Sequence, residues 1–250
     1  VYKRQFVISI IETMLGGRAE LNGYLKSIVD QALKEMYAPY EAALAKMNKT
    51  YDPSICPTLK DFYQILRGRR EPEAKNLAAS IQMYCTGTLD LFSYKTDIDT
   101  KNRFIIYDTK NIGTNLKELG MQVCLNDIWN RMVENRKKLV RTWFYIDEFY
   151  LFLTNLTAVE YIRNFMKRVR KKDSAVILAS QNLEDFNIDG IREYTKPLFS
   201  IPTHVFLFNA GNIDSRFYID TLQLEQSEYN LIRYPQRGVC LYKCGNERYN

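Results

Sequence analysis

Two adjacent carboxylates, Asp147 and Glu148, follow a run of strand-forming residues in the stretch "RTWFYIDEFYLFL". In open α/β sheets, ligands bind outside the carboxyl ends of the strands, so acids at a strand exit point toward a site. One such carboxylate can hold a divalent cation, and the other can orient and deprotonate a water molecule. The structural alternative is an acid pair that caps the next helix. The pair therefore predicts either metal-assisted hydrolysis or a helix start.

A second predicted strand, in "SAVILASQNLEDF", ends in Ser180, Gln181 and Asn182. In RecA-like nucleotide hydrolases, a strand followed by Asp-Glu is the Walker B arrangement, and a polar residue after the neighbouring strand senses the γ-phosphate. The two exits are therefore expected to meet at one phosphate, with Asp147 and Glu148 on one side and Gln181 on the other. The alternative for the second exit is an ordinary amide-rich loop that starts a helix.

The segment between these strands, "AVEYIRNFMKRVRKKDS", has the period of an amphipathic helix. Its predicted apolar stripe consists of Ala158, Ile162, Phe165, Met166 and Val169. Its predicted polar face consists of Arg163, Lys167, Arg170 and Lys171. This face is either a solvated basic surface or the source of an arginine finger, for which Arg170 is the leading candidate. A finger that reaches a neighbouring subunit's γ-phosphate is worth about 10³ to 10⁵ in rate, or roughly 4 to 7 kcal/mol.

No phosphate-binding loop is present in these 250 residues, because none of the eleven glycines stands in a G-x-x-x-x-G-K-[ST] motif. Without that cradle for the β- and γ-phosphates, the chain is not a complete P-loop ATPase. The sequence also begins without methionine inside a helical pattern and ends just after a strand-like segment. We interpret it as truncated at both ends.

The elements that must position these residues change in character along the chain. Residues 6–90 have helical periodicity, with a predicted helix over "LKSIVDQALKEMY", a capping box at Thr58 and Asp61, and a helix start near Pro72. Residues 91–250 contain five apolar runs: "RFIIYD", "TWFYID", "AVILAS", "HVFLFNA" and "GVCLYKC". Such two-sided apolar runs, separated by helix-length connections, predict one largely parallel sheet covered on both faces. The prediction is an all-helical subdomain before an α/β domain.

Composition supports a globular chain. It is 46% hydrophobic and 26% charged, and its apolar runs are far shorter than the roughly 20 residues of a membrane helix. The net charge of +6 is too small to diagnose nucleic-acid binding. Five scattered cysteines favour a reducing compartment. The single histidine, His204, is interpreted as structural because no Cys-His spacing accompanies it.

The order of these motifs resembles the conjugative-transfer ATPases of type IV secretion systems, in the RecA-like FtsK-HerA group. The resemblance covers nearly the whole chain from about residue 6. It is carried by "FVISIIETMLGGRAELN", "TGTLDLFSYKTDIDTKNRFIIYDTKNIG", "LKELGMQVCLNDIWNRMVENR", "WFYIDEFYLFL", "FMKRVRKKDSAVILASQN" and "RGVCLYKCGN". In that family the P-loop lies upstream of the helical insertion, so its absence here agrees with truncation.

The resemblance implies a hexameric motor that hydrolyses ATP with Mg²⁺, is cytoplasmic and lies peripherally at the inner face of the bacterial cell membrane. Such a motor drives assembly of a secretion channel or transfer through it. Its implied partners are inner-membrane channel subunits and, as a further option, DNA or the relaxosome. The implied fold is a RecA-like P-loop NTPase core without its P-loop segment, over residues 91–250, after a mainly helical subdomain over residues 6–90.

The resemblance also assigns individual residues. They are Asp147 for Mg²⁺ through a water, Glu148 as catalytic base, Gln181 for γ-phosphate sensing, Arg168 and Arg170 of "RVRKK" for the trans-acting finger, and Lys171 beside them at the nucleotide. The fragment alone is expected to be inactive. Two alternatives stay open: a non-catalytic scaffold subunit of the same machinery and a DNA-pumping coupling ATPase.

Overall fold

The computed structural model describes residues 2–17, 20–49, 51–96, 102–153, 156–181, 186, 192–209, 215–234 and 237–249. The chain divides into two compact units, Val1–Asn126 and Asp127–Asn250. The domain division predicted near residue 90 follows the change in sequence pattern, and it stays a prediction. Within the described residues, no helix is both long and apolar enough to cross a membrane.

The first unit is helical. Its helices are α1 (Tyr2–Met14), α2 (Gly23–Lys46), α3 (Leu59–Gly68) and α4 (Pro72–Cys85), followed by a 3-10 turn at Asp90–Phe92 and the first half of α5 (Thr114–Lys137). Their apolar faces form one core, in which Ile11, Leu33, Phe62, Leu66 and Ile81 are fully buried. The helices that periodicity predicts in this part of the chain are therefore present in the structure.

Local signals in this unit act as the sequence predicts. Of the apolar stripe predicted for α2, the helix buries Ile28, Val29, Ala32, Leu33 and Met36, and it leaves Leu25 half-buried. The capping box at the start of α3 is formed, and the Thr58 backbone N–H donates to Asp61 Oδ2 at 2.7 Å. This bond satisfies one of the orphan amides that every helix start leaves. Pro72 occupies the first turn of α4, where its missing N–H costs nothing.

The strand predicted at "RFIIYD" is wrong. Residues 102–108 carry no strand, and the side chains of Phe104 and Ile106 are 78% and 76% exposed. A strand requires a neighbouring strand that satisfies its backbone N–H and C=O groups. Within the described part of the chain, this segment has no strand partner. Its apolar composition alone does not make it extended sheet.

The second unit contains a parallel strand pair. Strand β1 (Thr142–Ile146) pairs with β2 (Ser174–Leu178), with Thr142 opposite Ser174 and Ile146 opposite Leu178. Helix α6 (Leu156–Val169) is the crossover between them and is followed by a 3-10 turn at Arg170–Lys172. Its Phe165, only 2% exposed, contacts Phe144 of β1 edge to face at 5.6 Å between ring centroids. The predicted β-α-β arrangement around Asp147 and Gln181 is confirmed.

The remaining strands form a separate antiparallel sheet in the described residues, so the prediction of one largely parallel sheet is wrong. Strand β3 (His204–Leu207) pairs with β4 (Leu241–Cys244), which pairs with β5 (Glu247–Tyr249). A tight turn with Gly245 at φ +58° joins β4 to β5, and so short a connection permits only antiparallel strands. Three helices complete this unit: α7 (Arg192–Ser200), α8 (Ser215–Leu222) and α9 (Gln226–Arg233).

The two faces of this antiparallel sheet differ. Leu207 and Leu241 point inward to a core with Tyr218, Leu222 and Ile232. The opposite face carries a stack of aromatic side chains, in which Phe206 and Tyr242 lie 4.5 Å apart and His204 Nδ1 lies 2.6 Å from the Tyr242 hydroxyl. His204 thus contacts an aromatic neighbour, and its structural role stays a prediction.

Candidate functional site

The exits of β1 and β2 lie side by side. Beyond the paired strands, the Ala179 N–H donates to the Ile146 carbonyl at 2.8 Å and the Phe149 N–H donates to the Ala179 carbonyl at 2.8 Å. These two bonds extend the parallel hydrogen-bond ladder past the last residue of both strands. As a result, Asp147 and Glu148 lie directly beside the segment that leads to Gln181.

Glu148 has an unusual backbone conformation for its residue type. Its φ and ψ are 51° and 43°, in the left-handed region that non-glycine residues enter at an energetic cost. The Glu148 N–H donates to Oδ1 of Asp147 at 2.9 Å, which fixes the relative orientation of the two acids. The sharp bend turns the Glu148 side chain toward the second strand exit.

A side-chain hydrogen bond joins the two exits. The Gln181 amide Nε2 donates to Oε1 of Glu148 at 2.7 Å. Asp147 and Gln181 are exposed, and Glu148 is half-buried. The expectation that the two strand exits converge is confirmed by this contact. The sequence did not predict this direct contact, because we expected both side chains to contact a phosphate.

The backbone just after the acids is firmly anchored. Phe149 is fully buried and begins a 3-10 turn, Phe149–Phe152, with its ring 5.8 Å from the rings of both Phe152 and Phe186. Leu153 is also fully buried. The residues on both sides of the acids, Ile146 and Phe149, are buried and hold the backbone in place. The two carboxylates can therefore move mainly by changing their side-chain rotamers.

The donor set at this edge suits Mg²⁺ better than a transition metal. No group of three or more His, Cys, Asp or Glu side chains that could enclose a metal exists among the described residues. Mg²⁺ is usually held by one or two carboxylates together with waters and substrate phosphates, not by an all-protein cage. The exposed Asp147 has its second carboxylate oxygen left for such a shared site, since Oδ1 accepts the Glu148 N–H.

The basic residues predicted at the nucleotide lie at the other end of the same sheet. Arg168 lies in the last turn of α6, and Arg170 and Lys171 belong to the 3-10 turn that leads into β2. Gln181 follows the far end of that strand. The length of β2, about 13 Å at roughly 3.3 Å per residue, separates the two groups. The structure thus brings Asp147, Glu148 and Gln181 together and keeps the basic residues of the same chain apart from them.

Arg163 was predicted on the same solvated face as Arg170, and this prediction is wrong. Its guanidinium carbon lies 5.3 Å from the centroid of the Tyr194 ring, against α7, and its side chain is half-buried. A guanidinium group gains from stacking on an aromatic face, so helix periodicity alone could not locate it. Lys167, Arg168, Arg170 and Lys171 are exposed as expected.

A parallel strand pair with acids and an amide at its carboxyl edge defines a mixed helix-and-strand fold with a candidate ligand site. Among solved structures, this fold is similar to that of VirB4 of Thermoanaerobacter pseudethanolicus, with a TM-score of 0.77 over 99% of this chain and 67% of that chain. The sequences are 22% identical, so the likeness concerns the fold. No protein-family profile and no curated protein matches the chain.

This similarity confirms, at the level of the fold, the resemblance that the sequence motifs indicated. The roles of individual side chains are not tested by it.

Proposed function

We propose that the chain is the C-terminal ATPase portion of a motor subunit of conjugation or type IV secretion machinery, with a RecA-like core. The observation that carries the proposal is the hydrogen bond of Gln181 to Glu148 where two parallel strands end, with Asp147 beside it. The similarity to VirB4 across almost the whole chain supports the same assignment. The chain contains no P-loop motif, so hydrolysis is proposed for the complete protein and not for these residues alone.

Each side chain at the edge has a proposed task. Asp147 holds Mg²⁺ through a water, and Glu148 accepts a proton from the attacking water through the carboxylate oxygen that Gln181 does not occupy. Bound Mg²⁺ would neutralise charge on the phosphates. The Gln181 amide senses the γ-phosphate by exchanging its hydrogen bond to Glu148 for one to a phosphate oxygen.

The basic turn before β2 has its proposed task in a neighbouring subunit. Because Arg170 lies a strand length from Asp147 of its own chain, any contact with the γ-phosphate must come from the adjacent subunit of a ring. Arg168 and Lys171 would contact the same nucleotide from that side. We propose that the ring is a hexamer at the inner face of the membrane, with channel subunits as partners.

Two other functions are retained as test outcomes. A scaffold subunit would keep the fold without turning over ATP, and a DNA-pumping coupling ATPase would require strong, salt-sensitive binding to DNA. The complete protein should hydrolyse ATP only with Mg²⁺ present and should show weak, sequence-independent DNA affinity. Undetectable hydrolysis in assembled, nucleotide-binding protein would favour the scaffold, and tight salt-sensitive DNA binding would favour the coupling ATPase.

A further inference from the structure

The turn between α5 and β1, residues 138–141, exposes apolar side chains to an unusual degree. Leu139 is 91% exposed, the highest value among large hydrophobic side chains in the described part of the chain. Val140 beside it is 51% exposed. Single exposed apolar residues are ordinary on protein surfaces. Two in succession at the tip of a turn form a small apolar projection that a binding partner could cover.

The backbone makes this choice of residue harder to explain by folding alone. The Leu139 N–H bonds to the Arg136 carbonyl at 3.0 Å and the Val140 N–H bonds to the Asn135 carbonyl at 2.9 Å, which is the Schellman pattern at the end of a helix. Leu139 has φ +58° there, at the position that glycine or asparagine usually occupies. A leucine at this position is strained and gains nothing from burial, so its side chain is not there for stability.

Positive charge surrounds this tip. Lys138 and Arg141 flank the two apolar residues, and Arg136 and Lys137 precede them at the end of α5. The basic 3-10 turn Arg170–Lys172 lies alongside, because Thr142 pairs with Ser174 and Arg141 Nε lies 3.5 Å from Asp173 Oδ1. The only acids in residues 134–141 and 170–173 are Glu134, which pairs with Lys137, and Asp173, which pairs with Arg141.

We propose that the turn at residues 138–141 docks the protein on an anionic phospholipid surface. Leu139 and Val140 enter the boundary between headgroups and acyl chains, while the flanking lysine and arginine side chains contact lipid phosphates. Nucleic acid offers the same phosphates, but single-strand binding sites stack its bases on aromatic side chains, and residues 138–141 include none. The charge and the aliphatic tip together therefore favour lipid.

This surface deepens the proposed peripheral location at the membrane and does not depend on ATP hydrolysis. None of Lys138, Leu139, Val140 and Arg141 belongs to the candidate nucleotide site. Substitution of Leu139 and Val140 is therefore expected to leave the turnover of the complete protein unchanged. Failure of the ATPase proposal would likewise leave lipid binding intact, so the two proposals can fail separately.

The test is sedimentation of the protein with vesicles of phosphatidylcholine, with and without phosphatidylglycerol. The first variant combines Leu139→Asn with Val140→Ser, and asparagine suits the left-handed backbone, so unfolding temperature should be kept or raised. The second combines Lys138→Glu with Arg141→Glu. The matched controls are Leu231→Asn, an exposed apolar residue elsewhere, and Arg70→Glu with Lys75→Glu, exposed basic residues elsewhere.

The unaltered protein should bind vesicles only when phosphatidylglycerol is present. Each variant of the turn should lower that affinity by about tenfold or more. The first removes apolar side chains that would enter the lipid, and the second removes basic side chains that would contact lipid phosphates. The controls should bind as the unaltered protein does. Absence of binding to phosphatidylglycerol vesicles would overturn the proposal. A Leu139→Asn, Val140→Ser variant that binds these vesicles with full affinity would also overturn it. So would a variant of the turn that loses binding to single-stranded DNA but keeps its binding to the vesicles.

Discussion

Glu148 combines a strained backbone with a specific side-chain partner. Its left-handed conformation is sparsely populated by glutamate, and such residues persist when the surrounding structure determines them, often at functional sites. Here the surroundings are the Asp147 carboxylate, which accepts the Glu148 N–H, and the buried Phe149 that follows. The strain directs the Glu148 carboxylate to Gln181, where the chemistry is proposed to occur.

The contact between Gln181 and Glu148 predicts a change in pH dependence. In the complete protein, Gln181→Glu would place a second carboxylate beside Glu148, and a like charge raises the pKa of a neighbouring acid. Because a base must be deprotonated to act, the acid limb of the pH-rate profile should move to higher pH. The profile is measured from initial rates of ATP hydrolysis across pH.

The matched variant is Gln181→Ala, which removes the amide without adding charge. It should lower the turnover number and move the acid limb less than Gln181→Glu does, because it removes a hydrogen-bond donor to Glu148 without adding a negative charge. A Gln181→Glu profile that superimposes on the unaltered one would mean that residue 181 does not act on Glu148 during turnover.

At the scale of elements, helix α6 connects the core to the site. Phe165 is 2% exposed and its ring meets those of Trp129 and Phe144 at 5.5 and 5.6 Å, so it holds the crossover helix against β1. Phe165→Ala should lower the free energy of unfolding by about 3–5 kcal/mol through lost burial and a new cavity. Lys167→Ala, on the exposed side of the same helix, should change it by less than about 0.5 kcal/mol.

Urea titration followed by circular dichroism measures both variants. A Phe165→Ala protein as stable as Lys167→Ala would show that the helix is not held by this aromatic contact.

The sequence predicts those elements whose local and tertiary preferences agree. The apolar stripe of α2, the capping box of α3, the proline at the start of α4 and the pairing of the two strands around α6 all follow from periodicity or from residue type. These signals are local, and the packing that the structure adds does not oppose them. The proximity of the acids and the amide at the two strand exits could be predicted for the same reason.

Other features depend on partners that a linear pattern does not reveal. "RFIIYD" and "HVFLFNA" have the same apolar character, yet the first has no described strand partner and the second pairs antiparallel with β4. In β1, Trp143 and Tyr145 are 60% and 65% exposed, although the two-sided apolar run predicted cover on both faces. Strand direction and cover are tertiary properties, and they override the preference of the segment.

At the scale of the whole molecule, Arg170 tests whether the protein works as a ring. In a single chain it lies at the opposite end of β2 from the acids, so the proposed finger requires a neighbouring subunit. Arg170→Ala in the complete protein should lower turnover by about 10³ to 10⁵ with little change in nucleotide affinity, because the charge acts in the transition state. Steady-state kinetics and nucleotide titration measure the two quantities.

Mixing distinguishes action across an interface from action within a chain. Rings assembled from Arg170→Ala and Glu148→Gln subunits should regain part of the activity, since one interface then carries an intact base and an intact finger. If assembled mixed rings stay as inactive as either parent, Arg170 acts within its own chain or only as a solvated charge.

The proposed hydrolysis requires Glu148 as the base, and Glu148→Gln in the complete protein tests this role most directly. The change keeps the shape of the side chain and an oxygen that can accept the Gln181 amide, but it removes the base. ATP turnover should fall by about 10² to 10⁴ while ATP affinity stays close to that of the unaltered protein. The control is Glu73→Gln, the same change at an exposed glutamate of α4, which should leave turnover unchanged. Near-normal turnover in Glu148→Gln would contradict the proposed site and move the chemistry elsewhere.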